Sequence, residues 1–340
     1  MKKALIITSN ASDTNQILKK YAEKAIEKSI SFIVVGDLKS PNKFFIPGCH
    51  FLSIEEQEQQ DFSLASALPF NSYSRKNIGY LAALKEGAEV IIETDDDNLP
   101  LDNFFETRVA LHDASLLVNS GWVNVYRYFS DMQIWPRGFP LELISSDIPK
   151  LPKPKKVFSP ILQGLADGDP DVDAIFRLTK PILMEFKKHP PIAIGENSMC
   201  PFNSQNTTWH QEAFPLLYLP SYCNFRMTDI WRSFIAQRIL WTCDWSISFH
   251  QSTVYQERNA HDLMKDFEDE IPGYLNNNRI FQLLCDTTLK KGKGYIFDNL
   301  RECYRVLVRE KLIGEQELKL VDLWIDDILA IQANANKEIF

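Results

Sequence analysis

The first hundred residues constrain the fold of this chain most. Three times an apolar, strand-like run ends in a polar group, and helical periodicity fills the intervals. Ala4 to Thr8 is a short apolar strand, and Thr14 to Lys28 repeats Ile17, Leu18, Tyr21, Ala25 and Ile26 at helical spacing, with Ser12 or Asp13 placed to cap its start. Ser31 to Asp37 is a β-branched run closing in Gly36-Asp37. The third unit is a helix from about Ser74 to Gly87, a strand Glu89 to Thr94, and then Asp95, Asp96 and Asp97. Alternation of this kind requires a parallel sheet with helices on both faces, and such sheets bind ligands beyond the carboxyl ends of their strands. Thr8, Ser9, Asp37 and Asp95 to Asp97 are therefore expected to converge.

A chain of 340 residues, 45% hydrophobic and 24% charged, is long enough for a sizeable core, and its net charge of −8 argues against general affinity for nucleic acid or anionic lipid. No run approaches the roughly 18 uninterrupted apolar residues of a membrane span, and the apolar start is far shorter than a signal-peptide core. A soluble, cytoplasmic protein, or one peripheral to a membrane, is expected. The six cysteines are scattered without a C-x-x-C pair or zinc-site spacing, as reduced, buried thiols would be.

Three consecutive carboxylates repel one another, so at any degree of burial they require a compensating cation. Because neighbouring residues of an extended strand point to opposite faces, Asp95 and Asp97 are expected to project one way and Asp96 the other, a D-x-D pair able to reach one ion. Hard oxygen ligands select Mg²⁺ or Mn²⁺, ions usually shared between one or two carboxylates and substrate phosphates. Taken alone, a three-residue acidic run is usually a solvated turn; its place after an apolar strand in this series favours the metal. Arg75 and Lys76 stand near a helix N-terminus, where positive charge is disfavoured, so an anionic partner is expected for them: a diphosphate, or surface carboxylates.

Four ordered segments, Val34 to Pro41, Tyr73 to Tyr80, Glu93 to Pro100 and Tyr222 to Ser233, resemble the STELLO family of probable glycosyltransferases over about Ala4 to His261. More faintly, the chain resembles the plant reversibly glycosylated polypeptides, which act as nucleotide-arabinose mutases. The resemblance implies a Rossmann-like GT-A domain using a nucleotide-sugar donor, with Mn²⁺ or Mg²⁺ as cofactor and polysaccharide biosynthesis as the setting. It places Asp37 at the base or ribose, Arg75 and Asn77 at the donor, and Asp95 and Asp97 at the metal. Thr8, Ser9, Lys39 and Asp96 complete the expected donor-binding set.

Within that reading, Asp229 in Thr228-Asp229-Ile230-Trp231-Arg232 is the candidate base for an inverting transfer, with Arg232 beside it; Thr228 or Asp229 reads as well as a helix cap. The acidic loop Gln163 to Ala174 offers Asp171 and Asp173 to an acceptor, or simply caps a helix. Trp231, with Tyr222, Phe225 and Trp209, offers faces to stack on sugars or to fill a core. His250, after a strand Trp245 to Phe249, is a candidate metal ligand, with His261 as competitor.

Between these segments, Trp122 to Phe129 reads as a strand, and the proline-rich stretch Pro136 to Pro160 contains Lys150 to Lys156, which cannot be helical and reads as an exposed, solvated connection. The expected organisation is a GT-A domain over residues 1–271, divided into a nucleotide-sugar half (1–100) and an acceptor and catalytic half (101–271), followed by a C-terminal helical appendage (272–340). The expected activity is metal-dependent sugar transfer from a nucleotide diphosphate to a glycan or other hydroxyl acceptor. The alternatives are a nucleotide-sugar mutase and a non-catalytic carbohydrate-binding protein.

Overall fold

The computed structural model describes residues 1–180, 183–257 and 262–337. Its strands are β1 (Lys3–Thr8), β2 (Ser31–Val35), β3 (His50–Leu52), β4 (Val90–Thr94), β5 (Asn98–Pro100), β6 (Leu111–Leu117), β7 (Gly121–Trp122), β8 (Lys155–Phe158), β9 (Ile161–Gly168), β10 (Ile192–Ile194), β11 (Ser198–Met199), β12 (Asn206–His210) and β13 (Ile247–Gln256). Its α-helices are α1 (Gln16–Lys28), α2 (Ile54–Glu58), α3 (Ser63–Ala67), α4 (Lys76–Lys85), α5 (Ala174–Thr179), α6 (Thr228–Trp241), α7 (Leu263–Asp286), α8 (Ile296–Arg309) and α9 (Glu317–Lys337). Eleven strands form one sheet in the order β3-β2-β1-β4-β12-β9-β13-β10-β6-β8, with β5 beside β13, while β7 and β11 make a separate ribbon. The first four are parallel, and β12 then runs antiparallel to both β4 and β9. This is a mixed, Rossmann-like α/β sheet.

Alternation along β1 explains how both faces are covered. Leu5 and Ile7 point to one face, where they join Leu18, Tyr21, Ala22 and Ala25 of α1; Ala4 and Ile6 point to the other, where they meet Ile78, Leu81 and Ala82 of α4. Gly79 permits that second contact, since a Cβ there would stand 2.7 Å from Ile6 Cγ2 and 2.6 Å from Val35 Cγ2. α1 starts at Gln16 because the Asn15 side chain accepts from Ile17 N and Leu18 N, a closer cap than Ser12 or Asp13.

The C-terminal helices are present, and they share the core of the sheet domain. Trp324, Ile325 and Ile328 of α9 and Leu300, Cys303 and Leu307 of α8 belong to the same apolar cluster as Ile6 and Ile78. Asp327 accepts from Ser63 N and Leu64 N at 2.9 Å each, fixing α3 to α9. The expected boundary at Pro272 falls inside α7, which is one continuous helix. Two local expectations fail. In the run from Trp122 to Phe129 only Trp122 lies in a strand and Val125–Tyr128 form a 3-10 turn, with Asn124 just before it donating to Ile134 O. Lys155 and Lys156 open β8, paired antiparallel with β6, so only part of the basic run is loop.

Candidate active site

Thr8 and Ser9 follow β1, Asp37 follows β2, and Asp95 to Asp97 follow β4. With Lys39 and Arg75 they line one cleft of about 560 Å³ beyond the strand ends, as the parallel order of these strands demands. The Asp37 carboxylate is already engaged, accepting from Leu38 N (2.7 Å), Asn71 N (2.8 Å) and Ser72 N (3.0 Å), so it ties the loop before α4 to the end of β2.

The three aspartates do not follow strand alternation. The chain leaves β4 at Thr94 and turns through Asp95 to Asp97 into β5, so their side chains fan out instead of alternating. Asp96 accepts from Ser9 Oγ. Asp95 accepts from Tyr73 OH (2.8 Å) and Lys76 Nζ (3.3 Å), and Asp97 from Gln256 Nε2 (3.1 Å). Burial pushes the Asp95 carboxyl up to about 6; Lys76 opposes the rise and the neighbouring Asp97 adds to it. Burial also raises Asp96, against its bond from Ser9.

The two cations before α4 divide. Lys76 is buried and answers Asp95, while also donating to Tyr73 OH (2.8 Å) and Thr94 O (2.9 Å). Among the described residues Arg75, 1% exposed, meets neutral acceptors only, Gln57 Oε1 (2.8 Å) and Leu68 O (3.3 Å), with the Phe70 ring 5.0 Å away. Its Nη2 is buried with no partner, an unsatisfied donor beside the cleft.

A smaller polar well of about 100 Å³ adjoins the cleft at Tyr73, Asp95, Phe225, Arg226 and Gln256, residues common to both. Its floor is organised by Arg137. The guanidinium grips Asp171 with two bonds (2.7 and 2.9 Å) and reaches both oxygens of Asp229 at 3.1 Å. Asp229 accepts further from Ser204 N (3.1 Å) and Ser204 Oγ (3.2 Å), and Asp171 from Asn203 Nδ2 (2.9 Å). Burial alone would raise Asp171, but Arg137 outweighs it and holds that carboxyl below its ordinary range. Phe225, 64% exposed, stands edge-on to Tyr73 at 6.1 Å and supplies the one large apolar face of the wall.

That wall is held by the C-terminal helices. Glu270 of α7 takes the Arg226 guanidinium (3.0 and 2.6 Å), and Glu317 at the start of α9 accepts from Ser221 N (3.0 Å) and Tyr222 N (2.7 Å).

Five expected site residues stand elsewhere. Arg232 is sealed in the core against Glu93 (2.8 and 3.1 Å) and lines neither cavity. Asn77 exchanges two bonds with the Leu219 backbone at 2.9 Å. Asp173 caps α5 through Phe176 N (2.8 Å) and holds Trp135 Nε1 (2.6 Å). Trp231 is buried with Nε1 on Asn277 (2.9 Å). His250 lies within β13, which continues to Gln256, and lines a separate cavity sharing no residue with the cleft. His261 lies outside the described residues. Arg137, Tyr73, Ser204 and Gln256 were not singled out from sequence. A lone Arg between Pro136 and Gly138 in an apolar stretch was the available signal for the first.

Among the described residues, no three His, Cys, Asp or Glu side chains are gathered closely enough to hold a metal by themselves. Asp95 and Asp97 do offer hard oxygens at the cleft wall, a set that fits an ion completed by ligand phosphates. No helix among them is long and apolar enough to cross a membrane.

A family model described as STELLO glycosyltransferases matches residues 226–338, the helical part together with the end of the cleft wall. Over 326 residues the chain is 28% identical to "Probable glycosyltransferase STELLO2" of Arabidopsis thaliana, covering 89% of this chain and 42% of that protein. "Probable glycosyltransferase STELLO1" of the same plant is 28% identical over 321 residues, 88% of this chain and 41% of the relative. The chain thus spans less than half the length of these curated relatives. A crystal structure of a mycobacterial protein overlaps loosely, with a TM-score of 0.44 and 10% identity over 82% of this chain and 75% of that one.

Proposed function

We propose that this chain, a relative of the STELLO proteins by sequence, transfers a sugar from a nucleotide diphosphate to a hydroxyl acceptor. The observation that carries the reading is the joining of two environments across Asp95. A cleft at parallel strand ends, bearing three carboxylates and the unsatisfied Arg75, meets a polar well floored by Asp229, Asp171 and Arg137. The first suits a nucleotide diphosphate and the second a sugar ring with its attacking hydroxyl.

In this reading the acceptor oxygen attacks the sugar's anomeric carbon while Asp229 accepts its proton, and the bond to the diphosphate breaks with its electron pair leaving on the phosphate oxygen. Arg75, in the cleft wall, lends positive charge to the phosphate side, and Phe225 lies against the apolar face of a sugar. Asp95 and Asp97 would hold a Mg²⁺ or Mn²⁺ ion, which when bound would supply Lewis-acid stabilisation of the leaving diphosphate. The lysine at Asp95 limits repulsion among the carboxylates before a ligand arrives.

The test is a panel of nucleotide sugars screened with and without Mn²⁺ for thermal stabilisation and then for turnover. A metal-dependent rise in melting temperature with one donor is expected, lost in Asp95→Ala/Asp97→Ala. Unchanged donor turnover in that folded variant would refute the metal assignment.

A further inference from the structure

A second cavity, of about 410 Å³, lies on another part of the sheet. Ile92, Thr208, Leu162 and Ser248 are register neighbours across β4, β12, β9 and β13, and register neighbours project to one face. Ile92 packs with Leu18 and Tyr21, so this is the face that α1 covers at the β1 end. Around Leu162 and Ser248 the cover is the segment preceding β6, which bears Asn103, Thr107, Arg108 and Val109.

The charges there are unbalanced. The Arg108 guanidinium donates only to backbone carbonyls, Nη1 to Phe104 O and Nη2 to Asn103 O, each at 2.8 Å, and no ion pair to a carboxylate occurs among the described residues. Burial brings it down to about 10, with Glu106 alone opposing. Lys3, whose Nζ donates to Thr107 Oγ1 at 2.9 Å, adds a second positive charge at the rim. Burial, aided by Arg108, holds His250 down to about 3, so its imidazole is neutral. His112 is lowered by burial and placed by Val109 O (3.0 Å) and Ser248 Oγ (2.9 Å). A lysine and an arginine thus repel each other beside two neutral imidazoles, offset only in part by the single carboxylate among the lining residues, Glu106, while Leu162, Val109 and Pro191 give the same cavity an apolar side.

We propose that this cavity is a second ligand site, taking a small organic anion whose carboxylate or phosphate lies against Arg108 and whose apolar body lies against Leu162, Val109 and Pro191. The site is separate from the cleft and does not depend on the transferase reading.

The experiment follows the Cε1–H signals of His112 and His250 by NMR during titration with octanoate and with phenyl phosphate, which distinguish the two anion sources, and with acetate as the anion lacking an apolar body. Saturable shifts with an apparent Kd below about 1 mM are expected for at least one of the first two, with acetate at least about tenfold weaker. Arg108→Gln should weaken binding about tenfold or more, and Asp95→Ala/Asp97→Ala should leave it unchanged. Val109→Trp, at a lining position 49% exposed, enlarges the side chain at the cavity wall while keeping the Arg108 guanidinium, and should also weaken binding, which decides the matter even if Arg108→Gln fails to fold. No saturation by about 10 mM, acetate binding as well as octanoate, or wild-type affinity in either cavity variant overturns the proposal.

Discussion

Arg137→Gln is the most informative single change in the well. Arg137 is 7% exposed at its side chain, makes two bonds to Asp171 and one nitrogen's contacts to Asp229, and those carboxylates are 7% and 9% exposed. Removing the cation leaves two buried negative charges facing each other, a change that costs about 3–5 kcal/mol when a buried pair is broken. At about 2.1 cal/mol/K of unfolding entropy per residue, the 340-residue chain should lose roughly 4–7 °C in melting temperature. The pH dependence is the sharper readout. In the native protein the Asp171 carboxyl titrates below its ordinary 3.8, so the stability it draws from Arg137 is complete above that value and fades as pH falls through the lower, folded-state value. In the variant that contribution is missing, so the difference between the two proteins should be greatest near pH 7 and shrink below about pH 4. Asp171→Asn in the variant background should recover part of the loss by removing one of the stranded charges. Thermal unfolding of the three proteins between about pH 2 and 8 checks this; a gap under about 1 °C near pH 7, or one that does not narrow in acid, would refute the account of the well.

Gly79→Ala should cost about 1–3 kcal/mol in denaturant unfolding, because a methyl at 2.6–2.7 Å from Val35 and Ile6 forces α4 off the sheet. Asp173 is raised to about 6 by burial, so native protein binds its proton more tightly than unfolded chain. Wild-type stability should therefore fall as pH rises from about 4 to about 6, by at most about 3 kcal/mol, and Asp173→Asn should flatten that slope in chemical unfolding curves. Arg232→Met should lower the melting temperature by stranding Glu93, yet leave KM for the donor unchanged in protein that stays folded, whereas a catalytic Arg232 would lower kcat. Phe225→Ala, at an exposed position, should leave stability intact and raise KM for the acceptor, as initial rates at fixed donor would show.

What the sequence made legible was local. Leu5 and Ile7 against Ala4 and Ile6, or the repeat through Leu18, Tyr21 and Ala25, carry their own periodicity, so β1, α1, β2, α4 and β4 emerge in order and the strand ends converge as expected. The acidic run was placed correctly at the cleft, but its side-chain directions were not, since alternation ceases where β4 becomes a turn. Residues joined across long stretches of chain were opaque. Nothing near Arg137 announces Asp171 and Asp229, and nothing near Arg232 announces Glu93, because charge pairing across a core depends on packing that no short window contains. The same limit explains His250. Its position after an apolar run suggested a ligand, but which cavity a strand residue faces is decided by register with β9.

Glu270 and Glu317 give the molecule a built-in order of assembly. During synthesis the segment bearing Phe225 and Arg226 leaves the ribosome before α7 and α9, and because Trp324, Ile325 and Ile328 share the apolar cluster of Ile6 and Ile78, the core behind the donor half and the rim of the cleft are both completed late. Loss of Glu317 would therefore free the Ser221–Tyr222 backbone at the cleft rim without altering any residue that lines the cleft.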